Sequence, residues 1–239
     1  MRLETLRVFR LLSQVLPFSS ASERSASTGE KPKKTCPCGL YASATQPLHT
    51  PDELIRRYDE IGVEKGCILP EANPEALFFT QSNEEVLALC RNHPDRLIPF
   101  CNVDPRNDYN GTRRPMERYL AEYRSRGCKG LGLVCANLPV NDPQVENLLS
   151  AAERLDLPVI ARLTAFLDRS YGLVDKGGLE DLDLLCERHP KLRILCHGRT
   201  FWCEIGRYSG RQPRLGLPTG PVREGVLAGL LRRRPNLRC

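Results

Sequence analysis

The sequence predicts an α/β protein built on parallel strands with helices over both faces. Short, continuously apolar runs alternate with amphipathic helical stretches from Thr50 to the end of the chain. That is the pattern of strands buried on both sides. One joint recurs, in RNHPDRLIPF, ERHPKLRILC and RRRPNLRC. In each, a basic helix end suits the macrodipole, a proline prevents continuation, and an apolar strand follows. Finally, six strand candidates are joined by five helical crossovers. At this level an open doubly wound sheet and a (β/α)8 barrel read alike. No GxGxxG or Walker loop follows any strand, so the nucleotide-binding versions lose support.

The elements follow in order. Thr50-Pro51-Asp52-Glu53 is a capping box with proline at the first helical position, and Gly62 supplies the stop. Leu54, Tyr58 and Ile61 share one face of that helix. GCILP, residues 66–70, is the first strand. Ser82 to Glu85 forms a second capping box, and its helix turns Val86, Leu89 and Cys90 inward before Pro94. LIPFCNVDP is the next strand. A helix from Pro115 to Arg126 stops at Gly127, and the strand KGLGLVC follows. Asp142-Pro143 opens a helix carrying Val145, Leu148, Leu149 and Ala152. The strand PVIARL, the helix Leu179 to Arg188 and the strand RILCHG come next. A helix from Pro221 to Arg233 leads into NLRC, the start of one more strand.

Bulk properties fit this picture. A chain of 239 residues with 41% hydrophobic and 27% charged content can bury a large core. No apolar run is long enough to span a membrane. The formal charge of +6 is uneven. Residues 1–35 hold seven Lys/Arg against three acids, and residues 206–239 hold eight Arg against one. No nucleic-acid motif accompanies the basic tail, so no nucleic-acid partner is expected and the tail reads as a solvated helix face plus a loop. The eleven cysteines include no CxxC pair. Cys67, Cys101, Cys135 and Cys196 fall in strand-like runs, where free cysteine acts as a small hydrophobe. This points to a reducing compartment and a cytoplasmic protein. Residues 1–48 are rich in Arg and Ser and poor in acid, as transit segments are, but are read as a disordered or unrelated extension. The sequon Asn110-Gly111-Thr112 carries no meaning in such a compartment.

In a barrel of this kind the active site gathers at the C-terminal ends of the strands. Those ends are Glu71, Asp104, Leu133 to Cys135, Arg162 and His197. Of four histidines, His93 and His189 each precede a proline at a helix end and read as caps or surface residues, and His49 reads as loop. His197 ends a strand on the active face. Arg162 is the anomaly, an arginine at the end of an otherwise apolar strand.

Residues 50–239 resemble the amidohydrolase-related, metal-dependent hydrolase family, in the branch that includes aminocarboxymuconate semialdehyde decarboxylase. The matching stretches are TPDELIRRYDEIGVEKGCILP, NPEALFFTQSNEEVLALCRNHPDRLIPFCNVDPR, GCKGLGLVCANLPVNDP, YGLVDKGGL and HPKLRILCHGRTFWCEIG, in order, with the tail GPVREGVLAGLLRRRPNL. The resemblance implies a (β/α)8 TIM-type barrel holding a divalent metal, usually zinc. Its centre uses a His-x-His pair on the first strand, a histidine on the fifth and another on the sixth, and an aspartate on the eighth. Such enzymes hydrolyse or decarboxylate small carboxylate or cyclic compounds.

Carried onto this chain, the pattern is mostly missing. His197 matches the sixth-strand histidine and is the single metal position retained. Arg162 stands where the fifth-strand histidine belongs, and Leu133 where many relatives place a glutamate. No His-x-His occurs. One imidazole beside a permanent cation is a poor zinc site. Three expectations follow. The domain over residues 49–239 is an incomplete barrel with roughly strands two to seven, C-shaped and marginally stable. A second copy of the chain, as a homo-oligomer, or residues 1–48 would cover its open edges. Activity is lost or impaired; alternatively Arg162, Arg169 and Arg199 bind an organic anion in a non-catalytic module, or the chain is a truncated reading of an active hydrolase. For Arg162 itself the competing expectation is a side chain reaching solvent at the mouth.

Overall fold

The computed structural model describes residues 50–75, 80–107, 116–167, 171–206 and 225–239. The extension 1–48, His49, Asn110 and Arg169 lie outside the described residues. The chain divides into two units, Met1–Gly66 and Cys67–Cys239.

In the first unit, α1 (Pro51–Ile61) begins at the predicted capping box. The Thr50 side chain accepts from the Glu53 N–H while Glu53 reaches back to the Thr50 N–H. Gly62 ends the helix in the left-handed region at φ 71°. Of the three residues on one face, Leu54 and Tyr58 are buried, whereas Ile61 is 55% exposed.

The second unit holds the predicted βα alternation. Its strands are β1 (Gly66–Ile68, whose first residue closes the first unit), β2 (Leu97–Pro99), β3 (Leu131–Val134), β4 (Val159–Thr164), β5 (Leu173–Val174), β6 (Ile194–His197) and β7 (Leu237–Arg238). The helices are α2 (Asn83–Asn92), α3 (Met116–Ser125), α4 (Pro143–Arg154), α5 (Glu180–Arg188), the short α6 (Arg199–Cys203) and α7 (Val226–Arg233). β1 pairs with β2, and β3, β4, β6 and β7 lie side by side in that order. A parallel bridge from Cys101 to Leu131 joins the two groups. The pairings from β3 to β7 are parallel, so the six expected strands run in chain order across the array. Among the described residues β1 and β7 do not pair with one another, and no closed barrel forms.

Local chemistry explains the elements. The Ser82–Glu85 capping box opens α2, and Asp142 caps α4 with Pro143 in its first turn. On α2 the buried apolar residues are Val86, Leu87 and Cys90; Leu89 is only partly buried, which corrects the expected face. All four predicted core residues of α4 are buried. The alternation along β4 divides the core. Val159, Ala161 and Leu163 pack with helix residues such as Leu148, Leu149 and Leu182. Ile160, on the opposite face, joins Phe100, Leu133, Cys135 and Tyr171. None of the nine described cysteines forms a disulfide. The basic tail is not merely solvated: Arg233 and Arg234 both pair with Asp183, and Arg234 also with Glu187, which ties α7 to α5. No helix among the described residues is long and apolar enough to cross a membrane.

β5 was not expected. It pairs with the end of β4 and also lies against the chain that follows β3. The Val140 N–H donates to the Val174 carbonyl, the Val174 N–H to Leu138, and the Gly172 N–H to Cys135. This two-residue strand therefore sits between the C-terminal ends of β3 and β4.

Candidate functional site

The period of two along a strand puts Ile160 and Arg162 on one face of β4, and Leu195 and His197 on the matching face of β6. Their register is direct, Ile160 with Leu195 and Arg162 with His197. The two site residues picked out from sequence are thus neighbours at the strand ends, above an apolar floor.

Gly198 makes room for this pairing. Its φ is 106°, and a Cβ there would sit 2.7 Å from the Leu163 carbonyl oxygen and 3.2 Å from Arg162 Cγ. The arginine stem lies along that gap. Its Nε donates to the Tyr171 carbonyl at 3.1 Å, and its guanidinium carbon stands 5.3 Å from the centre of the Tyr171 ring, a cation–π contact. Arg162 is half-buried and pinned, not a side chain waving in solvent as one expectation had it. Tyr171 then continues the chain of contacts, because its hydroxyl donates to Glu71 Oε1 at 2.9 Å. Glu71 follows β1, so one tyrosine connects the end of β1 to the end of β4.

The electrostatics follow from burial. His197 is pushed down to about 3, first by burial and then by the Arg162 cation, so it is neutral at physiological pH. Its Nε2 is buried without a hydrogen-bond partner. Burial raises Glu71, while the Tyr171 hydroxyl and Arg162 pull it back. Burial also raises the Tyr171 hydroxyl, with Cys135 and Glu71 adding to the effect.

A second polar group occupies the ends of β1 to β3. Arg106 donates to Glu75 through both terminal nitrogens at 2.8 Å, and to Asp104 through Nε and a terminal nitrogen. Burial alone would raise Asp104, but bonds from Arg106 and Asn73 outweigh it and hold the carboxyl below its usual range. Asn73 also accepts from Asn102 Nδ2, and Asn102 donates to the Leu133 carbonyl. The Asn137 N–H donates to Glu75. Of this group only Asp104 was singled out from sequence. Asn73, Glu75, Asn102 and Arg106 were missed, although the runs EANPE and CNVDPR place acids and amides directly after two strands. Tyr171 was missed because β5, which it precedes by two residues, was missed.

The other predicted residues sit apart. Arg199 begins α6, and nothing further is described of its side chain. His93 is the C-cap of α2. His189 is the C-cap of α5 but is buried, with Nδ1 2.9 Å from Glu153 Oε2, so it joins α5 to the end of α4 rather than lying on the surface.

A divalent cation needs about three protein donors of the right charge in a catalytic site. Among the described residues no group of three or more His, Cys, Asp or Glu is placed to hold one. His197 has a guanidinium as its in-register neighbour, and Glu71 is engaged by Tyr171. These residues do not fit a metal centre.

Parallel strands in chain order, crossover helices and polar groups gathered at the strand ends define an incomplete (β/α)-barrel type. The amidohydrolase family model matches residues 41–238, and the chain belongs to that family. Among solved structures, an uncharacterized TIM-barrel protein from Bordetella bronchiseptica is similar at 16% identity with a TM-score of 0.52, over 78% of this chain and 57% of that one. A 5-carboxyvanillate decarboxylase from Novosphingobium aromaticivorans, complexed with manganese and a nitrobenzoic acid, gives 18% identity and a TM-score of 0.49, over 66% of this chain and 54% of that one. A 2,6-dihydroxybenzoate decarboxylase from Rhizobium gives 18% identity and a TM-score of 0.43, over 67% of this chain and 62% of that one. This chain spans less than two thirds of each of the three. No curated protein matches it.

Proposed function

We propose that this chain is an amidohydrolase-family domain that does not carry out the metal-dependent hydrolysis or decarboxylation of the family, and whose strand ends serve as a binding site for a small molecule. The observation that supports this reading is the in-register pair Arg162 and His197. A permanent cation beside the imidazole opposes a second positive charge at close range. Tyr171 holds that cation in place through a hydrogen bond and its ring. For zinc, which the family resemblance implies, no group of three or more His, Cys, Asp or Glu is placed to hold it among the described residues. That none of the nine described cysteines forms a disulfide suits a reducing, cytoplasmic setting.

The test is metal analysis of the purified full chain, combined with turnover assays on carboxylated phenols and small lactones. The expected result is well below one equivalent of zinc or manganese after supplementation, and no turnover. About one equivalent of metal per chain, with activity that His197→Ala abolishes, overturns the reading.

A further inference from the structure

Residues 171–175 lie across the exits of β3 and β4. The Gly172 and Val174 N–H groups donate to the Cys135 and Leu138 carbonyls, and the Val140 N–H returns to Val174. The Asp175 N–H donates to the Thr164 carbonyl at the end of β4. At the front of this segment Tyr171 carries the contacts to Arg162 and Glu71. At its rear Asp175 anchors it to α5, where Oδ2 accepts from the Leu182 N–H at 3.0 Å. That anchor is a carboxyl with no exposed surface, and its Oδ1 is buried without a partner. A buried carboxylate with one oxygen unmatched is costly, and protonation removes the charge that makes it so. The groups facing it do not compensate. Asp181 on α5 is a second acid, whose charge opposes that of Asp175. Cys196 on β6 is fully buried, which holds its thiol well above the usual range and neutral. Glu204, at the end of α6, is another acid and accepts from the Gly178 N–H in the same turn. Lys176 is exposed. The N–H groups of Leu182, Asp181 and Lys176 lower the Asp175 carboxyl, but burial outweighs them and pushes it up to about 6.

We propose that residues 171–175 form a pH-sensitive strap over the strand ends, held tightly while Asp175 carries a proton and loosened when it loses it. Linkage sets the direction. In the closed strap Asp175 titrates near 6, and in a lifted strap, where water reaches it, at its ordinary 3.8. The extra hold on the closed form is therefore complete below about pH 4 and is lost as pH rises through about 6. The loosening is local because the strap is a two-residue strand with few backbone bonds, whereas β4 and β6 pair over four successive residues. A lifted strap takes Tyr171 away from Arg162 and Glu71 together, which frees the ends of β4 and β1 from one another.

The experiment is amide hydrogen exchange on the full chain from about pH 5 to 7.5, read residue by residue, with each rate divided by its intrinsic rate at that pH. The strap amides are Gly172, Val174 and Val140, and the controls are Val159 and Ile194, which are bonded at the far ends of β4 and β6. Protection of the strap amides is expected to fall about tenfold relative to the controls across that range, the factor set by one pH unit between 5 and a folded value near 6. Asp175→Asn keeps an acceptor for the Leu182 N–H and cannot ionise, so its strap and control amides should keep a constant ratio. Strap and control amides that lose protection in step in the wild type overturn the proposal, as does a relative fall of the same size in Asp175→Asn. The wild-type profile decides by itself where the variant does not fold.

Discussion

Asp175 directly follows β5 and is fully buried. Its Oδ2 accepts from the Leu182 N–H at 3.0 Å, in the first turn of α5, while its Oδ1 has no partner. The helix needs such a cap because its own N-cap, Leu179, sits at φ 56° and offers no side-chain oxygen. Burial raises the Asp175 carboxyl from an ordinary 3.8 to about 6, and the nearby Asp181 charge adds to the rise. A folded value above the unfolded one means the native state binds the proton more tightly. The associated stabilisation is present in full below about pH 4 and is lost as pH rises through about 6. The gap of roughly two units, at 1.36 kcal/mol each, amounts to about 3 kcal/mol of penalty on the charged form at neutral pH. Asp175→Asn retains an acceptor for Leu182 and carries no charge. It forgoes about 1 kcal/mol of charge-assisted capping. The variant should therefore be about 1–2 kcal/mol more stable than wild type at pH 7.5 and equal or less stable at pH 4. Urea unfolding of both proteins at half-unit steps from pH 4 to 8 measures the difference. A difference that stays constant across that range refutes the argument, because only a group titrating differently in the two states can produce a slope.

Other outcomes follow from the same geometry. Arg106→Met leaves Glu75 and Asp104 buried without their cation and should cost about 3–5 kcal/mol in a denaturant melt, far more than loss of a surface pair such as Arg154–Glu117. Gly198→Ala forces a methyl group against the Leu163 carbonyl oxygen and should destabilise by about 1–3 kcal/mol, read as a lower melting temperature. Tyr171→Phe removes the donor to Glu71 but keeps the ring beneath Arg162, so it should cost about 1 kcal/mol; Tyr171→Ala, which removes both, should cost about 3–5.

The regular part of the fold could be read because each βα joint carries its own chemical signals. Both capping boxes form as their side chains require, and the proline-bearing joints fall where α2, α5 and α7 end. β5 could not be read this way. Leu173 and Val174 make a strand too short for any periodicity, and its pairing is fixed by where β3 and β4 end. A helix face slipped for a similar reason. Leu89 is apolar and correctly spaced, but how far it turns inward is decided by packing outside its own sequence.

The same division governs the site. Arg162 was visible as a charge misplaced in an apolar strand, and His197 as a histidine at a strand end, yet neither sequence position reveals that they stand side by side. Their meaning depends on Tyr171, which reaches the site only because β5 folds in between two strand ends. A metal at such a place does two things: it concentrates positive charge, and it ties ligands from several strands together. Arg162 supplies a fixed charge on the protein itself, and Tyr171 supplies the tie, since it binds the ends of both β1 and β4. On the metal-free reading proposed above, the order of the strand ends should survive chelators, because the contacts of Tyr171 hold them without a metal.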